Sequence, residues 1–281
     1  MRDIYHPRMR RPPASRLSRA LRRLAQRSRD PFVHPLPDGG ARLAFVVGCG
    51  HSGTTLAAAM LGRHSRVWGL GHESEALYPE VGLGCARMLL RSWQLIGEQH
   101  GAAWVVEKTP KHVLGIPRIW RLVPDAPIIG IVRDGRDTVA SLRRRFGDLE
   151  AAMDRWLVDN TALLRLRDDP RVRIVAYEDL AGDPATWAER LGQHLGLAYE
   201  PAMIEPGPSQ YGPHSHHEHL RWRGEQVAEP ITPRTGLWRS ELSAPELERF
   251  WRRCGGMMAA LGYRADNEAA ERTATEHRRS P

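Results

Sequence analysis

Residues 43–47, Leu-Ala-Phe-Val-Val, form a short apolar run that breaks at once into Gly48-Cys49-Gly50-His51-Ser52-Gly53-Thr54-Thr55. A run apolar on both faces fits a strand covered on both sides, the environment of a parallel sheet. From Thr54 to Leu61 the spacing predicts a helix. A buried strand turning through glycines into a helix restricts the chain to an α/β architecture, in which ligands bind beyond the carboxyl ends of strands. The turn is also a candidate anion cradle. Glycines let the backbone approach a ligand, and first-turn N–H groups meet it with the positive end of the helix dipole. A Walker A loop requires Gly-Lys-Ser/Thr, but Thr54 stands where that lysine belongs, which counts against a triphosphatase or kinase. A tight strand-to-helix turn that binds nothing is the plain alternative.

The rest of the chain repeats the pattern. Residues 67–70, 104–106, 127–132 and 172–176 read as strands. Residues 137–146, 184–195 and 245–261 read as helices, and Met153, Trp156, Leu157, Asn160 and Leu164 recur at helical spacing. Strands separated by helices imply βαβ units and a mainly parallel sheet flanked by helices. With no repeat and no second composition regime, one P-loop-like domain over 41–265 is expected. It lies between an Arg- and Pro-rich tail (1–40) and a short C-terminal tail (266–281).

The net charge of +8 suggests nucleic acid until it is located. Residues 1–30 hold ten arginines against Asp3 and Asp30, so the remaining 251 residues carry 31 basic and 31 acidic side chains and are neutral. The charge belongs to a tail, which argues against a nucleic-acid interface. Within the tail, Leu17, Ala20, Leu21 and Leu24 share a helical face; a solvated, partly helical tail is the plain reading, and a basic amphipathic helix on a membrane surface or a partner is the alternative. No apolar run reaches membrane-spanning length, no secretory signal is present, and three scattered cysteines make no disulfide framework or zinc spacing; a cytoplasmic setting is expected. The chain uses only two lysines, Lys108 and Lys111, both in Glu107-Lys108-Thr109-Pro110-Lys111. Lysine is a compact point charge where arginine is a broad fork, so this segment is singled out.

A second candidate site is Arg133-Asp134-Gly135-Arg136-Asp137-Thr138-Val139-Ala140-Ser141. Arg133 ends a buried strand and Ser141 lies two helical turns on, so both can converge on one phosphate. The alternative makes Arg133 an ion partner of Asp137 and Ser141 a packing residue. Together, residues 48–55 and 133–141 resemble the phosphosulfate and 3′-phosphate motifs of sulfotransferases that use 3′-phosphoadenosine 5′-phosphosulfate (PAPS). Similarity continues at Tyr177-Glu178-Asp179-Leu180, Gly236-Leu237-Trp238-Arg239 and Leu261-Gly262-Tyr263, so it covers about 220 residues and is nearest the bacterial and tyrosylprotein-type branch.

The resemblance implies that Gly50, Ser52, Gly53, Thr54 and Thr55 hold the 5′-phosphosulfate and that Arg133 and Ser141 hold the 3′-phosphate. Tyr177 and Arg239 become secondary cofactor contacts. Lys108 matches the strand-end lysine that approaches the sulfuryl group. Glu73 matches the carboxylate base of the tyrosylprotein branch, allowing a one-residue insertion. Two departures stand out. His51 occupies the place usual for Arg or Lys, and joins Glu73 and Lys108 as a catalytic candidate. Pro110 stands where the cytosolic branch has its base histidine, which leaves Glu73 as first choice and His72 and His112 as competitors. The expected reaction moves the sulfuryl group in line to a hydroxyl, in preference to an amine, on a small-molecule, carbohydrate or peptide acceptor, with no metal. Loops at 75–100 and 200–235 are expected to shape the acceptor site. The histidines at 214, 216, 217 and 219 read as part of a lid rather than a zinc site. The rival readings are a kinase-like phosphotransferase and a nucleotide-binding module without catalysis.

Overall fold

The computed structural model describes residues 33–207 and 228–264. The expected amphipathic patch of the N-terminal tail, the 266–281 tail and the histidine cluster at 214–219 lie outside the described residues. Of the first forty residues, 33–40 are described, and they are tied to the body. Leu36 N–H donates to the Leu122 carbonyl (2.7 Å), and the guanidinium groups of Arg87 and Arg91 donate to the carbonyls of His34 (3.0 Å) and Gly39 (2.8 Å).

The elements run β1 (Arg42–Gly48), α1 (Thr54–Gly62), β2 (Val67–Gly69), α2 (Leu83–Gln99), β3 (Trp104–Lys108), a 3-10 turn (Pro110–Gly115) and α3 (Ile116–Leu122). They continue through β4 (Ile128–Val132), α4 (Gly135–Phe146), α5 (Leu149–Leu164), β5 (Val172–Ala176), α6 (Tyr177–Gly182), α7 (Pro184–His194), α8 (Trp238–Glu241) and α9 (Ala244–Ala260). The five strands form one parallel sheet in the order β2-β3-β1-β4-β5. The expected α/β fold, a central parallel sheet flanked by helices, is the fold observed.

Strand alternation sorts the apolar residues into two cores. Leu43, Phe45 and Val47 of β1 face a core built with Leu90 and Trp93 of α2, Ile119 of α3, Val139 of α4, Trp156 and Leu163 of α5, and Phe250 of α9. Ala44 and Val46 face the other, with Ala58 and Leu61 of α1, Leu180 of α6 and Leu191 of α7. Both faces of the sheet are therefore covered, which is why its strands read as continuous apolar runs.

The loop expected over 75–100 is in its larger part helix α2. Its buried residues Cys85, Ala86, Leu90, Trp93, Gln94 and Gly97 recur at three- and four-residue steps, a helical face interrupted by a glycine and a glutamine. The segment after Ala176 turns directly into α6, so Tyr177 and Glu178 open a helix at the strand end. Helix α4 begins two residues earlier than expected because the Asp134 carboxylate caps it, accepting from Arg136 N–H (2.8 Å). Among the described residues no helix is long and apolar enough to cross a membrane.

Candidate active site

Register brings the candidate residues to one edge. Val46 of β1 pairs with Lys108 of β3, Gly48 with Ile131 of β4, and Val132 of β4 with Ala176 of β5. The glycine turn is thus flanked by Lys108 on one side and by Arg133, then Tyr177, on the other.

The turn is shaped by close approach. Gly48 has φ +150°, and a Cβ there would lie 2.4 Å from the Ile131 carbonyl oxygen; Gly53 has φ +95°, and its Cβ would lie 2.4 Å from the Tyr177 ring. His51 adopts φ +69° without being glycine, a left-handed conformation that the surrounding bonds must hold. The Ser52 hydroxyl donates to the carbonyls of Cys49 (2.7 Å) and Ile131 (3.0 Å), and its N–H donates to Cys49 (3.2 Å). Its polar groups therefore anchor the turn to β4 instead of facing outward. A Cβ on Gly50 would meet nothing within 4 Å among the described residues, so the cradle is open to them there, and the first N–H groups of α1 have no acceptor within the helix. Cys49 beneath is buried and its thiol is pushed well above the ordinary range by burial and then by Asp159, so it stays protonated and inert. Gly53→Ala is expected to destabilise the fold by about 1–3 kcal/mol through the left-handed φ and the Tyr177 contact. Urea unfolding checks this, and an unchanged midpoint would mean that the turn adopts another conformation.

Arg133, Ser141 and His51 meet. Ser141 Oγ lies 2.9 Å from His51 Nδ1, Arg133 donates to the His51 carbonyl (3.2 Å), and the Arg133 guanidinium lies 4.5 Å from the Tyr177 ring centre. Arg133 Nε is buried and has no hydrogen-bond partner among the described residues. The ion pair weighed for Arg133 is also present, with Asp137 at 3.6 Å. Asp137 has a further role that the spacing did not reveal. Its carboxylate accepts from Gly236 N–H (2.9 Å) and Trp238 N–H (3.0 Å), while Arg234 N–H donates to the Tyr177 hydroxyl (3.1 Å). The segment around 234–238 is thereby strapped across the Arg133 side of the edge. Arg239 is exposed, with its guanidinium 4.8 Å from the Trp238 ring centre. Glu178 joins the loop after β4 to the segment that follows α9, accepting from Asp134 N–H (2.9 Å) and the Tyr263 hydroxyl (2.6 Å). Burial raises its pKa against those bonds.

On the other side, Lys108 is fully buried and its Nζ donates to Glu73 Oε1 at 2.8 Å. The alternative that Lys108 is a surface partner of Glu107 fails on both burial and geometry. Glu107 turns away from it and bonds to Thr109, Ser74 and His112. His112 has both ring nitrogens engaged, by Glu107 (3.0 Å) and by Leu77 N–H (3.2 Å), which removes it as a base. His72 is exposed, with Nδ1 at 2.9 Å from the Leu70 carbonyl. This edge can therefore hold an anion at the glycine turn, a second anion at Arg133 and Ser141, and a carboxylate–ammonium pair beside them.

Residues 72–201 match the model of the Sulfotransferase family. No curated protein matches the chain. Solved structures share the fold. The sulfotransferase domain from the Synechococcus PCC 7002 olefin synthase is 18% identical, with 83% of this chain and 99% of that one covered at a TM-score of 0.55. The sulfotransferase domain from the curacin biosynthetic pathway is 17% identical, covering 81% and 99% at 0.51. Sulfotransferase STF9 from Mycobacterium avium is 14% identical, covering 81% and 78% at 0.51.

Proposed function

We propose, from the premise that residues 72–201 belong to the sulfotransferase family, that the protein moves the sulfuryl group of PAPS to a hydroxyl acceptor. The observation that carries this reading is the pair that Glu73 makes with Lys108 at the end of β3, 2.8 Å apart, beside a glycine cradle that is open over Gly50 among the described residues. The residues present fit the nucleotide. Gly50, Gly53, Thr54 and Thr55 would receive its 5′-phosphosulfate at the start of α1, with Ser52 holding the turn in shape. Arg133 and Ser141 would receive its 3′-phosphate, and the Arg133 Nε, without a partner among the described residues, is a buried donor of the right charge. Tyr177 and Arg239 would border the site.

Bound PAPS supplies an activated sulfuryl group that passes through a loose, in-line transition state. The protein's contribution is then position and charge. Glu73 takes the proton from the acceptor hydroxyl. Lys108 meets negative charge as it develops, from a buried position where its field is weakly screened. His51, hydrogen-bonded to Ser141, stands between the two anion sites and assists the leaving oxygen. A hydroxyl acceptor suits a carboxylate base, because an alcohol must lose its proton as it attacks. Small molecules, carbohydrates and peptides all carry such hydroxyls.

Thermal-shift titration tests the reading. 3′,5′-ADP, the nucleotide product, is expected to raise Tm in a saturable way, and ATP to do so far less. Stabilisation by ATP with magnesium but not by 3′,5′-ADP would favour a phosphotransferase, and stabilisation by neither would sink the nucleotide site. Arg133→Ala is expected to weaken 3′,5′-ADP binding by about 1.5–3 kcal/mol. Calorimetric titration measures it; equal affinity would remove Arg133 from the site.

A further inference from the structure

The sheet end that carries Lys108 also holds a buried polar cluster that touches neither anion site. Glu107, the residue before Lys108, is 1% exposed and His112 and Thr109 are 0% exposed. Because alternate residues of a strand point to opposite faces, Glu107 and Lys108 leave β3 in opposite directions. Glu107 Oε1 accepts from the Thr109 hydroxyl (2.5 Å), the Ser74 hydroxyl (2.8 Å) and Ser74 N–H (3.3 Å). Its Oε2 faces His112 Nδ1 at 3.0 Å. Thr109 Oγ1 accepts in turn from the N–H groups of Ser74 (3.0 Å) and Glu75 (3.4 Å). His112 Nε2 accepts from Leu77 N–H (3.2 Å), so His112 is neutral with its proton on Nδ1, directed at Glu107. The cluster therefore receives four donors from residues 74–77: three N–H groups and one hydroxyl. Those residues have no regular structure, and Glu75 within them is held at φ +54°, a conformation that persists only where surrounding bonds enforce it. The residue immediately before the clamped stretch is Glu73.

We infer that Glu107 is a positioning residue, which through Thr109, Ser74 and His112 holds residues 74–77 so that the Glu73 carboxylate meets Lys108 and the acceptor. The inference rests on the reading of Glu73 as the base. A carboxylate is required because all four groups around it donate. A glutamine amide would set an N–H against either His112 Nδ1–H or the hydroxyl cluster. Shifting the His112 proton to Nε2 to relieve this would oppose Leu77 N–H, and one end of the clamp opens either way. Misplacing a base by an ångström costs rate while leaving the residues that hold the nucleotide unchanged.

The experiment compares wild type with Glu107→Gln and Ser74→Ala, using PAPS with water as acceptor and following release of 3′,5′-ADP. Glu107→Gln is expected to lower kcat about tenfold or more and to displace the acid limb of its pH profile, with 3′,5′-ADP affinity within about twofold. Ser74→Ala, which removes one hydroxyl and keeps the backbone, is expected to act in the same direction by about threefold, and serves if Glu107→Gln does not fold. Wild-type turnover with an unmoved pH profile in both variants would overturn the inference. If 3′,5′-ADP does not raise the Tm of wild type, the proposed function fails; if it does but water supports no release, positioning is read without turnover. The Glu73 carboxylate signal, assigned with Glu73→Gln, is followed by 13C NMR. Its titration midpoint is expected to move by about half a pH unit or more in the variants, and a midpoint at the wild-type value overturns the inference.

Discussion

Replacing Lys108 by alanine is expected to lower PAPS turnover about 10²-fold or more, and Glu73→Gln to do the same. Lys108 is fully buried and its ammonium lies 2.8 Å from Glu73 Oε1, so a single substitution removes both a field at the reacting edge and the partner that orients the carboxylate. The two variants differ in what else they change. Glu73→Gln keeps the shape of the pair and should leave 3′,5′-ADP binding nearly as it is. Lys108→Ala also opens space in the core, so Lys108→Met, which keeps the apolar stem without the charge, separates lost chemistry from lost packing. The measurement is steady-state release of 3′,5′-ADP from PAPS, with circular dichroism to verify the fold. Near-normal turnover in Glu73→Gln would pass the base role to His72, the exposed histidine of the same loop. Near-normal turnover in Lys108→Met would remove the mechanism proposed for this edge.

Trp156→Ala is expected to cost the fold about 3–5 kcal/mol, the largest loss from a single core truncation here. Trp156 is completely buried and its ring centre lies 6.0 Å from that of Phe250, so α5 and α9 are joined through it. The ring also presses on the site. A Cβ added to Gly135 would lie 2.6 Å from Trp156 Cζ2, so packing alone requires the glycine between Asp134 and Arg136. The indole N–H is buried with no hydrogen-bond partner among the described residues, so Trp156→Phe gives up no bond seen there and should cost less than half as much. Urea denaturation with constant m-values measures both. A Trp156→Ala loss below about 1 kcal/mol would mean that α5 and α9 collapse onto the space without strain. Leu95→Ala on α2, a residue 42% exposed, is the matched control and should change stability little.

The architecture was legible because its causes are local. Five apolar runs each bounded by a turn, a glycine-rich turn from strand to helix, and helices between them are properties of a few neighbouring residues, and together they admit a parallel sheet and little else. The candidate site was legible where its spacing is short. Arg133 and Ser141 are eight residues apart across a strand end and two helical turns, and Lys108 stood out as one of two lysines in a chain of arginines. Helix α2 escaped notice because Gly97 and Gln94 lie on its buried face and blur the apolar stripe.

The tertiary structure alone decided which polar groups meet. Lys108 takes Glu73, 35 residues away, and not the adjacent Glu107, because alternation sends successive strand residues to opposite faces. Ser141 reaches His51 across 90 residues, and Asp137 holds Trp238 N–H across 101. A side chain's choice among distant partners depends on strand register and on how loops close over the sheet edge, and each such closure is a balance of many weak terms spread along the chain. Elements follow from neighbours in sequence, whereas hydrogen-bonded pairs across the site follow from neighbours in space, which exist only once the sheet has set its order.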